Sequence, residues 1–179
     1  MKTATAVLRH EHEAIVLALR ILAEIDRHAI AHQPVQQQDL QALVDFLSEF
    51  ADTCHHGKEE KLLFPLLART GHQQVQHVIE RLLPEHAQGR HWIASMRRAL
   101  QPFQPDKFHD AARAYAQLLL AHVEQENTLL FPMAERLMTT EQLIALSREF
   151  AAYEVHVMGP ERHEALHDLL AQLQTRYSI

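Results

Sequence analysis

The chain has 179 residues and a formal net charge of −6, from 17 Lys and Arg against 23 Asp and Glu. That length suffices for one domain with a substantial core, the dispersed basic residues argue against a nucleic-acid partner, and a single cysteine, Cys54, excludes an intramolecular disulfide or a four-thiolate metal site. With no leader-like start and no apolar run near the roughly 20 residues needed to cross a bilayer, the chain is expected to be cytoplasmic, with no membrane partner.

Only 4 Gly and 7 Pro punctuate the sequence, and between them apolar residues recur at intervals of three and four, the spacing of a helix face. No strand pattern is present. The first helix is expected from about Thr5 to Arg27, with Leu8, Ile15, Val16, Leu19 and Leu22 on its apolar side. A second follows Asp39, read as its N-cap, and runs to about Ala68, where Thr70-Gly71 ends it. The third covers about His72 to Leu100, with Pro84 expected to kink or restart it. Asp106 is placed to cap the fourth, which has Pro132 near its far end. Thr139-Thr140-Glu141-Gln142 resembles a capping box opening a further helix, broken at Gly159-Pro160 and resuming to about Arg176. The expected architecture is all-α: an up-down-up-down antiparallel four-helix bundle over residues 1–138, with a C-terminal helical extension over 139–179 packed on the same domain.

Two segments repeat one pattern. His55-His56-Gly57-Lys58-Glu59-Glu60-Lys61 and His122-Val123-Glu124-Gln125-Glu126-Asn127-Thr128 each set a histidine four positions before a glutamate, and each runs into Leu-Leu-Phe-Pro. On a helix that interval stacks imidazole and carboxylate on one face. In the first copy two pairs overlap. His55 shares a stripe with Val44, Leu47 and Ala51, whereas His56 follows Asp45, Glu49 and Asp52, so an ordinary α-helix turns His55 and Glu59 inward and His56 and Glu60 toward solvent. His122 follows Tyr115, Leu118 and Leu119. His86 follows Ile79, Leu82 and Leu83. His12 lies on a stripe with Leu8, Ile15 and Leu19 and is preferred to His10, which follows Val7 and precedes Leu17. A lone histidine on an apolar stripe is ordinarily a hydrogen-bonded core residue, and a glutamate four residues on is ordinarily a surface partner. Four inward histidines on four helices with two inward carboxylates instead point to a metal site, because buried carboxylates are costly without cationic partners.

Glu11-His12-Glu13-Ala14-Ile15, residues 55–65, Glu85-His86-Ala87-Gln88-Gly89-Arg90 and residues 122–132, in this order and spacing, resemble the hemerythrin-like (HHE cation-binding) family over about residues 5–136. The resemblance implies a four-helix bundle holding two iron ions as an oxo- or hydroxo-bridged non-haem pair, with zinc or another transition metal the less favoured occupant. Its ligand positions fall on His12, His55, Glu59, His86, His122 and Glu126, with Glu59 and Glu126 as bridges. One departure stands out: Arg90 occupies the place, one turn after His86, where the respiratory oxygen carriers have a further histidine. One nitrogen ligand is therefore expected to be missing, opening a coordination position, with Tyr115, Glu85, Glu154 and His163 as candidates to fill it. Arg90 itself is expected to pair with a carboxylate or donate a hydrogen bond near the ions.

The function expected on these grounds is handling of O2, NO or peroxide at the di-iron centre, with a peroxide-decomposing activity left open. The alternatives are a non-catalytic iron or oxygen sensor and a metal-stabilised helical interaction module. The expected partners are a small diatomic ligand or peroxide, with a homo-oligomer or a protein partner left open. Cys54 is read as a core residue beside a ligand.

Overall fold

The computed structural model describes residues 2–179, and it forms six helices with no strand among the described residues. Helix α1 spans Ala4–Ile30, opened by the Thr3 hydroxyl accepting from the Ala6 amide. Helix α2 runs without a break over 37–68 but not with uniform pitch. It is α-helical over Gln37–Phe46, π-helical over Leu47–His56 and again over Glu59–Leu63, and α-helical over Phe64–Ala68. Helix α3 is Gln73–Ala99. Helix α4 (105–137) repeats the device: Pro105–Gln125 is α-helical, Glu126–Leu130 is π-helical, and Phe131–Leu137 completes it. Helices α5 (Thr140–Val157) and α6 (Pro160–Tyr177) form the extension.

Helices α1 to α4 make the expected four-helix bundle, each packed on two others in a closed ring, while α5 and α6 lie against α1 and α2. The boundaries carry three corrections. Asp39 is inside the first turn of α2 rather than its cap, because its buried carboxylate is taken by α6, accepting hydrogen bonds from Arg176 and from the Tyr177 hydroxyl at 2.8 Å. Pro84 does not interrupt α3: it and Glu80, whose carbonyl loses a donor, are both exposed residues, so water can serve the freed group. Asp106 likewise sits in the first turn of α4, behind Pro105. The Thr139–Gln142 capping box is present, and Gly159, at φ 76°, separates α5 from α6.

The apolar core falls into two clusters. One gathers Ile15, Leu19, Leu47, Phe50, Met96 and Tyr115 with Leu166, Leu170 and Leu173 of α6. The other gathers Leu8, Leu63, Leu67, Leu82, Leu130 and Phe131 with Leu143, Leu146 and Phe150 of α5. Each bundle helix passes from one cluster to the other through a short buried polar stretch, so those stretches meet at one level. The extension spans both clusters. No helix of the described residues is long and apolar enough to cross a membrane.

Gly57 marks the closest approach of α5 to α2. A Cβ there would come within 2.3 Å of the Tyr153 hydroxyl and 3.0 Å of the ring, and that hydroxyl also holds Lys61 Nζ at 2.9 Å and the Thr53 carbonyl at 3.2 Å. Gly57→Ala must swing Tyr153 away. The expected cost is about 1 to 3 kcal/mol in denaturant unfolding, with much of it vanishing when Tyr153→Ala is combined with it; additive losses would show that the two residues do not meet.

Candidate metal centre

At the polar level His12, His55, His56, Glu59, His86, His122 and Glu126 are all buried and converge. Two groups of mutually close ligand atoms form: His12, His55, Glu59 and Glu126 on one side, and His56, Glu59, His86 and His122 on the other. The six residues singled out by the sequence are thus brought together, and a seventh joins them. His56, assigned to solvent by α-helical phase, is as enclosed as the rest and stacks on His86 with ring centroids 3.9 Å apart.

The wide turns of α2 explain the difference. A π-helix bonds i to i+5 and so lengthens the turn. Before the π segments the inward stripe is Val44, Leu47 and Ala51, leading to His55; beyond them it is Glu59, Leu63 and Leu67, with Leu62 and Leu66 only half-buried. The stripe slips by one residue, and both His55 and His56 fit inside the slip. A signal for it was present: each Leu-Leu-Phe-Pro places a proline two residues past the end of a π segment, where its missing N–H breaks the α-helical ladder.

Four imidazoles are oriented alike. His12 Nδ1 donates to Asn127 Oδ1 at 3.0 Å, His55 Nδ1 to Glu11 at 2.8 Å, His86 Nδ1 to Glu60 at 2.8 Å and His122 Nδ1 to Glu85 at 2.8 Å. Each such bond fixes the tautomer and turns the Nε2 lone pair to the centre. There His12 Nε2 and His55 Nε2 lie 3.1 Å apart, as do His86 Nε2 and His122 Nε2. Between the pairs sit the two carboxylates. Glu126 reaches His12 Nε2 and His122 Nε2 at 3.2 Å each, and Glu59 reaches His55 Nε2 at 3.7 Å and His86 Nε2 at 3.6 Å. None of the four carboxylate oxygens has a hydrogen-bond partner of proper geometry, and neither does either nitrogen of His56. Burying such groups costs several kcal/mol per charge. Lone pairs facing one another around orphaned carboxylates fit two cations, with Glu59 and Glu126 each reaching both sides.

Three of the candidates for a missing ligand are engaged elsewhere. Glu85 orients His122, Glu154 pairs with Lys58 at 2.7 Å and His163 faces Glu154 at 3.6 Å, whereas Tyr115 packs in the apolar core with its buried hydroxyl unpartnered. Arg90 is 43% exposed and binds Asp52 and Glu60 at 3.0 Å each, so it braces the carboxylate behind His86 and does not reach the ions. Cys54 is buried, its thiol pushed up to about 12 by that burial, which fits a core residue.

Without a cation, protons take over part of the task. Burial and the charge of Glu126 push Glu59 well above the usual carboxylate range, while Glu126, although buried, is held well below it by His122 and His12. Burial opposes the charged form of His122, yet Glu126 and Glu85 raise it to about 9. Burial lowers His55 to about 4 against the opposing pull of Glu11, and lowers His56 and His86 as well. Burial resists ionisation of Glu11, but His55 and Lys58 hold it at about 2.

These shifts set the pH dependence of the metal-free chain. The depressed His55, His56 and His86 contribute stability that is present above about 6.5 and lost as pH falls toward their folded values, and Glu11 continues the loss between about 4.5 and 2. The raised His122 contributes stability that is present below about 6.5 and lost as pH rises through 9. Raised Glu59 opposes the acid-side trend, but three imidazoles outnumber it. Thermal unfolding of chelator-treated protein is expected to be highest near neutral pH, falling steeply between 6.5 and 4 and gently toward 9; a Tm independent of pH from 4 to 9 would contradict these charge states.

The family model of the hemerythrin HHE cation binding domain matches residues 3–134. Comparison with curated proteins and with solved structures returned no match. The matched segment covers α1 to α3, α4 as far as residue 134, and every residue of the buried His/Glu cluster. The chain belongs to the hemerythrin HHE cation-binding domain family.

Proposed function

We propose that the centre holds two iron ions and binds or reduces O2, NO or peroxide. The observation that carries this reading is the set of four unpartnered carboxylate oxygens of Glu59 and Glu126, buried between five imidazoles on four helices. Imidazole and carboxylate without thiolate suit first-row metals, and the resemblance to hemerythrin-like proteins favours iron among them. A bound iron pair would supply electrons and a landing position for a small oxidant.

The chain's own residues supply the rest. Glu59 and Glu126 reach both positions, offsetting cationic charge and holding the two ions close. Asn127, Glu11, Glu60 and Glu85 accept from the Nδ1 atoms and so leave Nε2 as the nitrogen that each neutral ring aims at an ion. The donor count is uneven: His56, His86 and His122 serve one position, and only His12 and His55 the other. The poorer position is where an added ligand would find room. His56 stands where it could supply the nitrogen expected to be missing at Arg90. Phe131, stacked on His12 with centroids 5.3 Å apart, and the apolar clusters above and below restrict water.

Two measurements test the reading. Aerobically purified protein is expected to carry about two iron atoms per chain, and its near-ultraviolet absorption should change on adding NO or peroxide; iron-loaded protein whose spectrum is unmoved by O2, NO and peroxide would defeat the proposed chemistry. His56→Ala is expected to lower metal content to about one ion per chain, whereas His10→Ala should leave two. Full occupancy in His56→Ala would remove His56 from the ligand set.

A further inference from the structure

We propose that Lys58 of α2 and Glu154 of the C-terminal extension are positioning residues for His55, so that the extension helps build one of the two metal positions. This rests on the metal-centre reading above.

Lys58 is 1% exposed, next to the π segment that carries Glu59. Its ammonium is held by Glu11 Oε1 at 2.6 Å and by Glu154 Oε2 at 2.7 Å. Glu11 divides its oxygens: Oε1 takes Lys58, and Oε2 takes His55 Nδ1 at 2.8 Å. The result is a continuous path from α5 through α2 and α1 to an imidazole whose Nε2 faces the centre. A buried ammonium needs a full set of acceptors. With Glu154 removed, Lys58 retains Glu11 alone and competes with His55 for that carboxylate, loosening the ring that Glu11 aims.

The path serves one side only. The counterpart behind His86 is Glu60 braced by Arg90, which also binds Asp52, all within the bundle. His122 leans on Glu85, also within it. Residue 154 lies beyond the family match, which ends at 134, so the extension brings the His12 and His55 position something the domain alone does not contain. The extension is also docked by contacts separate from the path. Tyr153 meets Lys61 at 2.9 Å and the Thr53 carbonyl at 3.2 Å, and Arg162 Nε donates to Glu49 at 2.6 Å. Those contacts can be cut without touching Lys58.

The test uses the full chain stripped of metal and titrated with Co(II), read by calorimetry and by visible absorption, with helix content checked by circular dichroism. Wild type is expected to bind two ions. Glu154→Gln should keep both while weakening one about tenfold, Glu154→Asp should recover part of the loss, and Tyr153→Phe and Arg162→Ala should match wild type. In a His56→Ala background, Glu154→Gln should still weaken the remaining ion. In a His12→Ala background it should change nothing. Binding by Glu154→Gln equal to wild type overturns the relay, and so does a loss shared equally by both ions and reproduced by Tyr153→Phe, which would mark simple undocking. A wild-type chain that binds neither Co(II) nor Fe(II) defeats the metal-centre reading, and the relay with it.

Discussion

The electrostatics of Glu59 and Glu126 set the terms for everything around them. Two carboxylates with no solvent and no proper hydrogen-bond donor cannot both remain charged in a protein interior unless positive charge sits between them. The imidazoles are arranged for that charge. In four of the five the outer nitrogen is engaged, by Asn127, Glu11, Glu60 and Glu85, which turns the inner nitrogen to the centre as a lone pair that a cation can take up. The charges of the outer ring are balanced in turn: Lys58 sits on Glu11, and Arg90 on Glu60. The site is therefore a set of nested shells of alternating polarity, built across four helices and touched by a fifth.

Helix pitch is the device that makes room for it. A uniform α-helix offers one inward residue per turn on a given stripe, and α2 has to offer His55, His56 and Glu59 within five positions. The π segments provide this by letting the inward stripe slip, at the expense of regular hydrogen bonding along the helix. The same widening at Glu126–Leu130 in α4 lies across the bundle at the same level, so the irregularity is paired.

Much of this was legible in the sequence because amphipathic spacing reports faces directly. The helix count, the capping box at Thr139, the break at Gly159-Pro160 and the convergence of His12, His55, Glu59, His86, His122 and Glu126 all follow from apolar stripes and turn residues. What was not legible depends on pitch or on distant partners. His56 was misplaced because counting residues assumes a constant turn, although the prolines at Pro65 and Pro132 mark where that assumption fails. Asp39 reads locally as a cap, and only the arrival of Arg176 and Tyr177 from the far end of the chain reassigns it. Arg90 reads as a gap because the further histidine at the centre, His56, comes from a different helix. Lys58 looks like a solvent residue in a charged run, and nothing local reveals that Glu11 and Glu154 enclose it.

The division of the apolar core into two clusters gives the polar layer a role in cohesion. Above and below it, side chains interlock by packing; across it, the metal-free molecule is joined mainly by backbone, by mismatched charges and by the two extension helices that straddle the plane. The layer is the level at which apolar contact between the two halves of the bundle is interrupted. A cation pair gripped from α1, α2, α3 and α4 at once would turn that layer into a four-way crosslink, so that occupancy decides whether the two halves open separately or only together.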